Sequence, residues 1–299
     1  MPQRPAGVIC PIATPLLDDE NLDAPAFRQL IDFVLPSIDG LLVLGTTGEF
    51  ALLTESTAAR AVEVAVEHVA GRVPVYAGIG DTGTTRVLEK LHTAEQLGAD
   101  FMLVTAPYYF SVSDQAALRR HFTTVAEASS KPVLVYNIQN THNNLSPALL
   151  AELAAHPNIV GLKDSWGDFY QFQEFLTLRS EKFSVFMGPE QLFAASLWLG
   201  ADGLVSALAN IVPTVFRRLV DQVAAGERQA AIQTQREITE LANIFKHGTV
   251  AGAIKVVLAD FGIGSRRVAA PLPPCTAAQA EQIRRIAAES NILREEPYV

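Results

Sequence analysis

Along the first two thirds of the chain, short runs rich in valine, isoleucine and leucine alternate with longer segments whose apolar residues recur at helical spacing. Runs that are apolar throughout, with no polar face, are the pattern of parallel strands covered on both sides. The pattern predicts strands at residues 8–13, 41–44, 73–79, 101–105, 133–136, 159–163, 184–187 and 203–206. Eight such strands, each followed by a helix, make up a (β/α)₈ barrel. Local signals agree: Thr54-Glu55 and Ser146-Pro147 read as helix starts. Asp39-Gly40, Gly71 with Pro74, Lys131-Pro132 and Pro157-Asn158 break the chain just before strands. After the eighth strand the spacing is wholly helical, from about Pro213 to Ala259 and again from about Thr276 to Ile292. The reading is therefore an α/β (β/α)₈ TIM barrel over residues 1–225, with residues 226–299 as a C-terminal helical extension of the same domain. A doubly wound open sheet would share the alternation, but no glycine-rich dinucleotide fingerprint follows the first strand.

Composition narrows the function. The chain has 299 residues, 49% of them hydrophobic and 18% charged, enough apolar surface for one large core and no disordered tract. The opening Met1-Pro2-Gln3-Arg4-Pro5 lacks the apolar core of a leader, and no run approaches the roughly 18 apolar residues of a membrane span. With only Cys10 and Cys275 there is no disulfide framework, so the expected setting is the reducing cytoplasm. A net charge of −9 argues against nucleic acid and anionic membranes as partners, and an anionic substrate must then be held by local donors.

In this architecture chemistry belongs where strands end and βα loops begin. Those positions carry Thr14-Pro15, Gly45-Thr46-Thr47-Gly48-Glu49-Phe50, Ala106-Pro107-Tyr108-Tyr109, Tyr136-Asn137, Lys163-Asp164-Ser165 and Gly188-Pro189-Glu190. Lys163 is the one lysine expected at a strand's C-terminal end. Desolvation there presses an amine toward the neutral form that an imine-forming nucleophile needs. By position alone it reads equally as a structural lysine paired with Asp164 or Glu190. Tyr136, on the neighbouring strand, could relay protons to a carbinolamine, although a lone tyrosine there reads first as a core aromatic with a satisfied hydroxyl. Thr46-Thr47-Gly48 offers two hydroxyls and closely spaced amides as a carboxylate cradle, and Gly-Thr-Thr-Gly is also an ordinary tight turn. Glu49 reads as an anchor of that loop. Only His142 among the histidines follows a strand's C-terminal end, so no zinc-dependent aldolase site assembles. No nucleophile elbow supports a hydrolase.

Taken together, Pro11-Ile12-Ala13-Thr14-Pro15, Gly45 to Phe50, Pro107-Tyr108-Tyr109, Val135-Tyr136-Asn137, Gly161-Leu162-Lys163-Asp164 and Gly200-Ala201-Asp202-Gly203 resemble the dihydrodipicolinate synthase / N-acetylneuraminate lyase family of class I Schiff-base enzymes. The resemblance covers nearly the whole chain. It implies that Lys163 carries the imine, that Tyr136 moves protons, and that Thr46 and Thr47 contact the substrate and its carboxylate. It implies that Tyr109 reaches a neighbouring subunit's site in a homotetramer built as a dimer of dimers. Lys163, Tyr136, Thr46 and Tyr109 are thus the expected catalytic residues, and Thr47, Gly48, Ser165, Gly188, Thr141 and Asn140 the expected substrate-binding ones. No metal and no cofactor beyond the covalent imine on Lys163 is implied.

One departure bears on the substrate. The synthases carry an arginine shortly after the Tyr-Asn pair, whereas this chain has Ile138-Gln139-Asn140-Thr141-His142 and no arginine between Arg120 and Arg179. Losing a bidentate carboxylate clamp argues against condensation with aspartate semialdehyde. Gly48-Glu49-Phe50 and Gly161 to Ser165 look instead like the 4-hydroxy-2-oxoglutarate and 2-keto-3-deoxy sugar acid aldolase branches. The expected reaction is retro-aldol cleavage of a small 4-hydroxy-2-oxo acid or sugar acid to pyruvate plus an aldehyde, or its reverse. The alternatives are 4-hydroxy-tetrahydrodipicolinate synthase, a Schiff-base dehydratase, and a silent barrel that only binds.

Overall fold

Successive side chains of a strand point to opposite faces, and here both faces are apolar. Ile9, Leu42, Tyr76, Phe101, Leu103, Leu134, Tyr136, Ile138, Phe186 and Val205 form one inner cluster, and their strand neighbours Val8, Cys10, Leu41, Val43, Met102, Val104 and Val135 join a second cluster with the helices. That division fills the inside of a closed sheet and covers its outside. The computed structural model describes residues 4–296. Met1, Pro2 and Gln3, on which the reading of the N-terminus rests, and the last three residues of the expected extension lie outside them.

The strands are β1 (Gly7–Pro11), β2 (Gly40–Val43), β3 (Val75–Gly78), β4 (Phe101–Thr105), β5 (Val133–Ile138), β6 (Ile159–Ser165), β7 (Ser184–Met187) and β8 (Gly203–Val205). They close in chain order, all parallel, with β8 pairing back to β1. The expected (β/α)₈ barrel is the observed fold. Its helices are α1 (Ala24–Val34), α2 (Glu55–Val69), α3 (Thr84–Gln96), α4 (Gln115–Ala128), α5 (Pro147–Ala154), α6 (Phe169–Leu176), α7 (Phe193–Trp198) and α8 (Pro213–Ala224). Thr54 caps α2 by accepting from the Thr57 N–H, and Ser146 caps α5 with Pro147 in its first turn.

Strand ends differ from the sequence reading, and the reasons are local. The second strand stops at Val43 because Leu44 turns to a φ of 60°. The fifth and sixth run two residues further, since Asn137 still pairs with Asp164 and Ile138 with Ser165. Tyr136 and Lys163 therefore lie inside the last paired stretch, where a ladder on both sides holds them. The long helical tract past Pro213 is broken at Gly226, with a φ of 73°, into α8 and α9 (Arg228–Leu241), and α10 (Val250–Asp260) follows. The chain then forms α11 (Ala277–Glu289) and α12 (Asn291–Arg294). Helix α10 is buried along most of its length and brings Thr249, Val250 and Ala251 to the open end of the barrel.

Candidate active site

Register builds the centre of the site. Thr105 of β4 pairs with Tyr136 of β5, Tyr136 with Lys163 of β6, and Lys163 with Phe186 of β7. Paired residues of parallel strands share a face, so the side chains of Thr105, Tyr136 and Lys163 form one inward row. Lys163 Nζ stands 3.9 Å from the centroid of the Tyr136 ring. Lys163 is buried, yet among the described residues it makes no ion pair. The two carboxylates that offered a structural role for it are engaged elsewhere. Asp164 faces the other side of the sheet and accepts from Asn137 Nδ2 at 2.8 Å. Glu190 accepts from Ser206 Oγ at 2.8 Å and from the Ala207 N–H at 3.1 Å. Burial pushes the Asp164 carboxyl up to about 6 against the opposing pull of Asn137, and burial raises Glu190 as well.

The loop after β2 is a tight turn: Gly48 N–H bonds Gly45 O at 3.0 Å and Glu49 N–H bonds Thr46 O at 3.1 Å. A Cβ on Gly48 would come within 3.0 Å of Ile12 O, and its carbonyl accepts from Thr14 Oγ1 at 2.9 Å. Gly48 thus packs the loop against β1 and does not line the cavity, contrary to its expected place among the binding residues. Thr46 and Thr47 do line it. Among the described residues their N–H and hydroxyl groups have no hydrogen-bond partner, which leaves donors for an anion. Glu49 is the loop's anchor, as expected. Its carboxylate binds Lys255 Nζ from α10 and accepts from the Ala269 N–H at 2.6 Å. Burial pulls the Lys255 ammonium below the usual lysine range while Glu49 opposes that pull.

These side chains surround a cavity of about 380 Å³ at the C-terminal mouth of the barrel. Its walls include Lys163, Tyr136, Thr46, Thr47, Asn140, Ser165 and Gly188. Gly188 has to be glycine, because an added Cβ would lie 2.8 Å from the backbone carbonyl oxygen of Asp164. Thr141 faces the adjoining cavity, but its hydroxyl is tied into its own turn, donating to Ile138 O at 2.9 Å. Tyr109 stands apart. It is 79% exposed, at a φ of 82°, edge-on to Phe110, and does not line this cavity. Among the described residues no cluster of His, Cys, Asp or Glu is arranged to hold a metal ion.

The sequence reading missed several residues that shape the site. Thr249, Val250, Ala251 and Leu272 of the extension line the cavity, and only the folded tail brings them there. Buried Asn143 donates to Pro107 O at 2.6 Å and to Phe110 O at 3.1 Å, holding the loop of Tyr108 and Tyr109. Asn210 joins the ends of β1 and β8 by accepting from the Ala13 N–H and donating to Pro11 O. A lone asparagine between strands carries no signal of such a span.

Comparison with known proteins agrees with this geometry. Residues 4–290 match the profile of the dihydrodipicolinate synthetase family. The chain is 36% identical over 290 residues to the 4-hydroxy-tetrahydrodipicolinate synthase of Xanthomonas axonopodis pv. citri, covering 96% of this chain and 95% of that one. It is 35% identical to the synthase of Acidobacterium capsulatum, covering 96% of both. Among solved structures it resembles YagE, a prophage protein of that family from E. coli K12 in complex with pyruvate, with a TM-score of 0.91 and 30% identity over 96% of this chain and 99% of that one. The pyruvate complex of the dihydrodipicolinate synthase from Acinetobacter baumannii matches with a TM-score of 0.91 and 29% identity, over 96% of this chain and 99% of that one.

Proposed function

The chain belongs to the dihydrodipicolinate synthetase family of class I lyases, and from that premise we propose that Lys163 captures the ketone of pyruvate as an imine and makes or breaks the adjoining carbon–carbon bond. One observation carries the reading: a buried lysine, with no acidic partner among the described residues, lies against Tyr136 in a cavity whose opposite wall offers donors of Thr46 and Thr47 that are likewise unpaired among the described residues.

The steps follow from those positions. The unprotonated Lys163 amine attacks C2, and the carbinolamine oxygen leaves as water after receiving a proton from the Tyr136 phenol. The resulting iminium draws electrons from C3, which loses a proton to give an enamine. The enamine attacks an aldehyde carbon, the aldehyde oxygen takes up a proton, and water then releases the product from Lys163. The reverse path splits a 4-hydroxy-2-oxo acid into pyruvate and an aldehyde. Thr46 and Thr47 hold the C1 carboxylate, and the iminium is itself the electron sink, so no metal or organic cofactor is assigned.

The names of the relatives support the condensing direction, that of a synthase, ahead of the sugar-acid cleavage expected from the loops. Cleavage of a 4-hydroxy-2-oxo acid or 2-keto-3-deoxy sugar acid stays as a second reading on one observation. Neutral Thr141 lies in the stretch where the synthases have an arginine, and among the described residues lining the cleft there is no arginine and no lysine besides Lys163. The exposed Tyr109 beside Phe110 supports a homotetramer in which this phenol enters a second copy's cleft. Both cysteines are free thiols, in keeping with a cytoplasmic setting, and no described helix is long and apolar enough to cross a membrane. A coupled assay of pyruvate uptake with aldehydes, and of pyruvate release from 4-hydroxy-2-oxo acids, tests the proposal. Turnover of at least one substrate that Lys163→Ala abolishes is expected; an equally active Lys163→Ala would overturn it.

A further inference from the structure

The contact between Lys163 and Tyr136 sits where the sheet narrows. Pairing of β4 with β5 stops at Thr105 and Tyr136, and pairing of β6 with β7 stops at Asp164 and Met187. Past that edge β5 and β6 pair with each other alone among the described residues, Asn137 with Asp164 and Ile138 with Ser165. A ladder of two strands is weak by itself, so the spacing of the reacting residues beside it needs support from side chains.

That support is polar and lies behind the sheet, on the face opposite Lys163. Asn137 Nδ2 donates to Asp164 Oδ1 at 2.8 Å and to Asn144 Oδ1 at 3.0 Å, and Asn137 Oδ1 accepts from the Leu145 N–H at 3.2 Å. Asn144 in turn donates to Gln171 Oε1 at 3.1 Å, and Gln171 Nε2 donates to Leu145 O at 3.0 Å. Asn137 and Asp164 are both buried, and each directly follows a reacting residue in the chain. A buried polar network whose members are satisfied holds one arrangement, and a member stripped of its partner is costly. The catalytic steps themselves use none of these groups.

We propose that Asn137 is a positioning residue of the reaction: its clasp on Asp164 keeps the Tyr136 ring and the Lys163 amine in contact, and its bonds to Asn144 and Leu145 tie that spacing to the loop after β5. The proposal rests on the imine reading and adds a group that acts only through the two reacting ones. The side chain here must both donate and accept, which an amide does and an ionised carboxylate cannot. Asn137→Asp therefore sets two acids face to face. They fit together while they share one proton and repel once both ionise. The charged group acting on Asp164 is Asp168, just before α6, and the contacts from Asn144, Leu145 and Gln171 are neutral.

The test follows pyruvate alone in D₂O with the full-length protein. Loss of the C3 proton from the iminium, and its return as a deuteron, exchanges the methyl hydrogens, which NMR reads. Folding is checked at each pH by far-UV circular dichroism. We expect the exchange turnover of Asn137→Asp to lie about tenfold or more below wild type at pH 8, the scale of a small misplacement of reacting groups. At pH 5 it should come within about threefold, with KM for pyruvate within about twofold at both values, a loss in turnover and not in binding. A ratio to wild type that does not change with pH would overturn the proposal. The swap of Asn137→Asp with Asp164→Asn again sets one amide against one carboxylate and should recover about fivefold or more at pH 8; a swap no faster than Asn137→Asp would overturn it. Where the single variant unfolds at pH 8, the swap decides alone: folded and within about tenfold of wild type is expected, and unfolded or slower would overturn the proposal. Borohydride trapping separates the two levels. A wild type trapped on Lys163 with a flat ratio sinks the positioning role only, whereas a wild type without that adduct sinks the imine reading and this role with it.

Discussion

Tyr136 and Lys163 touch through the face of a ring, so the phenol oxygen can be removed without emptying the space beside the amine. Tyr136→Phe should therefore lower kcat by about 10²–10⁴-fold, the usual contribution of a positioned proton donor, and change KM little. Steady-state kinetics checks this, and unchanged kcat would remove Tyr136 from the proton path. The neighbouring Asp164 gives a pH signature of stability. Its carboxyl is raised by burial from an ordinary 3.8 to about 6, so the native state binds this proton more tightly than the unfolded chain. Its stabilising contribution is full below the ordinary value and is lost as pH rises through about 6. Relative to Asp164→Asn, the wild type should lose up to about 3 kcal/mol between pH 4 and pH 7 in urea unfolding, at the usual conversion of a pKa shift to free energy. A difference that stays flat across this range would show that Asp164 does not titrate there.

At the scale of elements, the catalytic loop after β2 depends on the helical tail. Glu49, at a φ of 61°, joins the turn bearing Thr46 and Thr47 to α10 through Lys255, both side chains being fully buried. Removing one member of a buried pair strands the other charge. Lys255→Met should cost about 3–5 kcal/mol in chemical denaturation. The double variant Glu49→Gln with Lys255→Met should recover part of that loss, because no charge is left unpaired; a double variant no better than the single would contradict the pairing. The strands were legible from sequence because burial on both faces makes continuous apolar runs, and the lysine because so few lysines compete for a strand end. The Glu49–Lys255 pair spans 206 positions, and no local pattern announces it. The extended ends of β5 and β6 were equally hidden, since each is set by pairing to the other strand. The cradle motif puts Gly48, and the stretch after Tyr136-Asn137 puts Thr141, in the expected binding set, yet packing against Ile12 and a turn hydrogen bond to Ile138 already occupy them.

For the whole molecule, closure of the sheet brings residues from six of the eight strands' loops, and from the tail, to one mouth. A chain of net charge −9 can hold an anion there through the donors of Thr46 and Thr47, which have no partner among the described residues. The proposed homotetramer predicts a sedimentation velocity matching four chains, with Tyr109→Ala lowering turnover; a monomer of full activity would show that the cleft needs no second copy. The central claim, covalent capture of pyruvate by Lys163, is tested most directly by intact and peptide mass after incubation with pyruvate and borohydride. The account predicts a gain equal to one pyruvic acid less one oxygen atom, confined to the peptide bearing Lys163 and absent from Lys163→Ala. No gain, or a gain on another lysine, would contradict it.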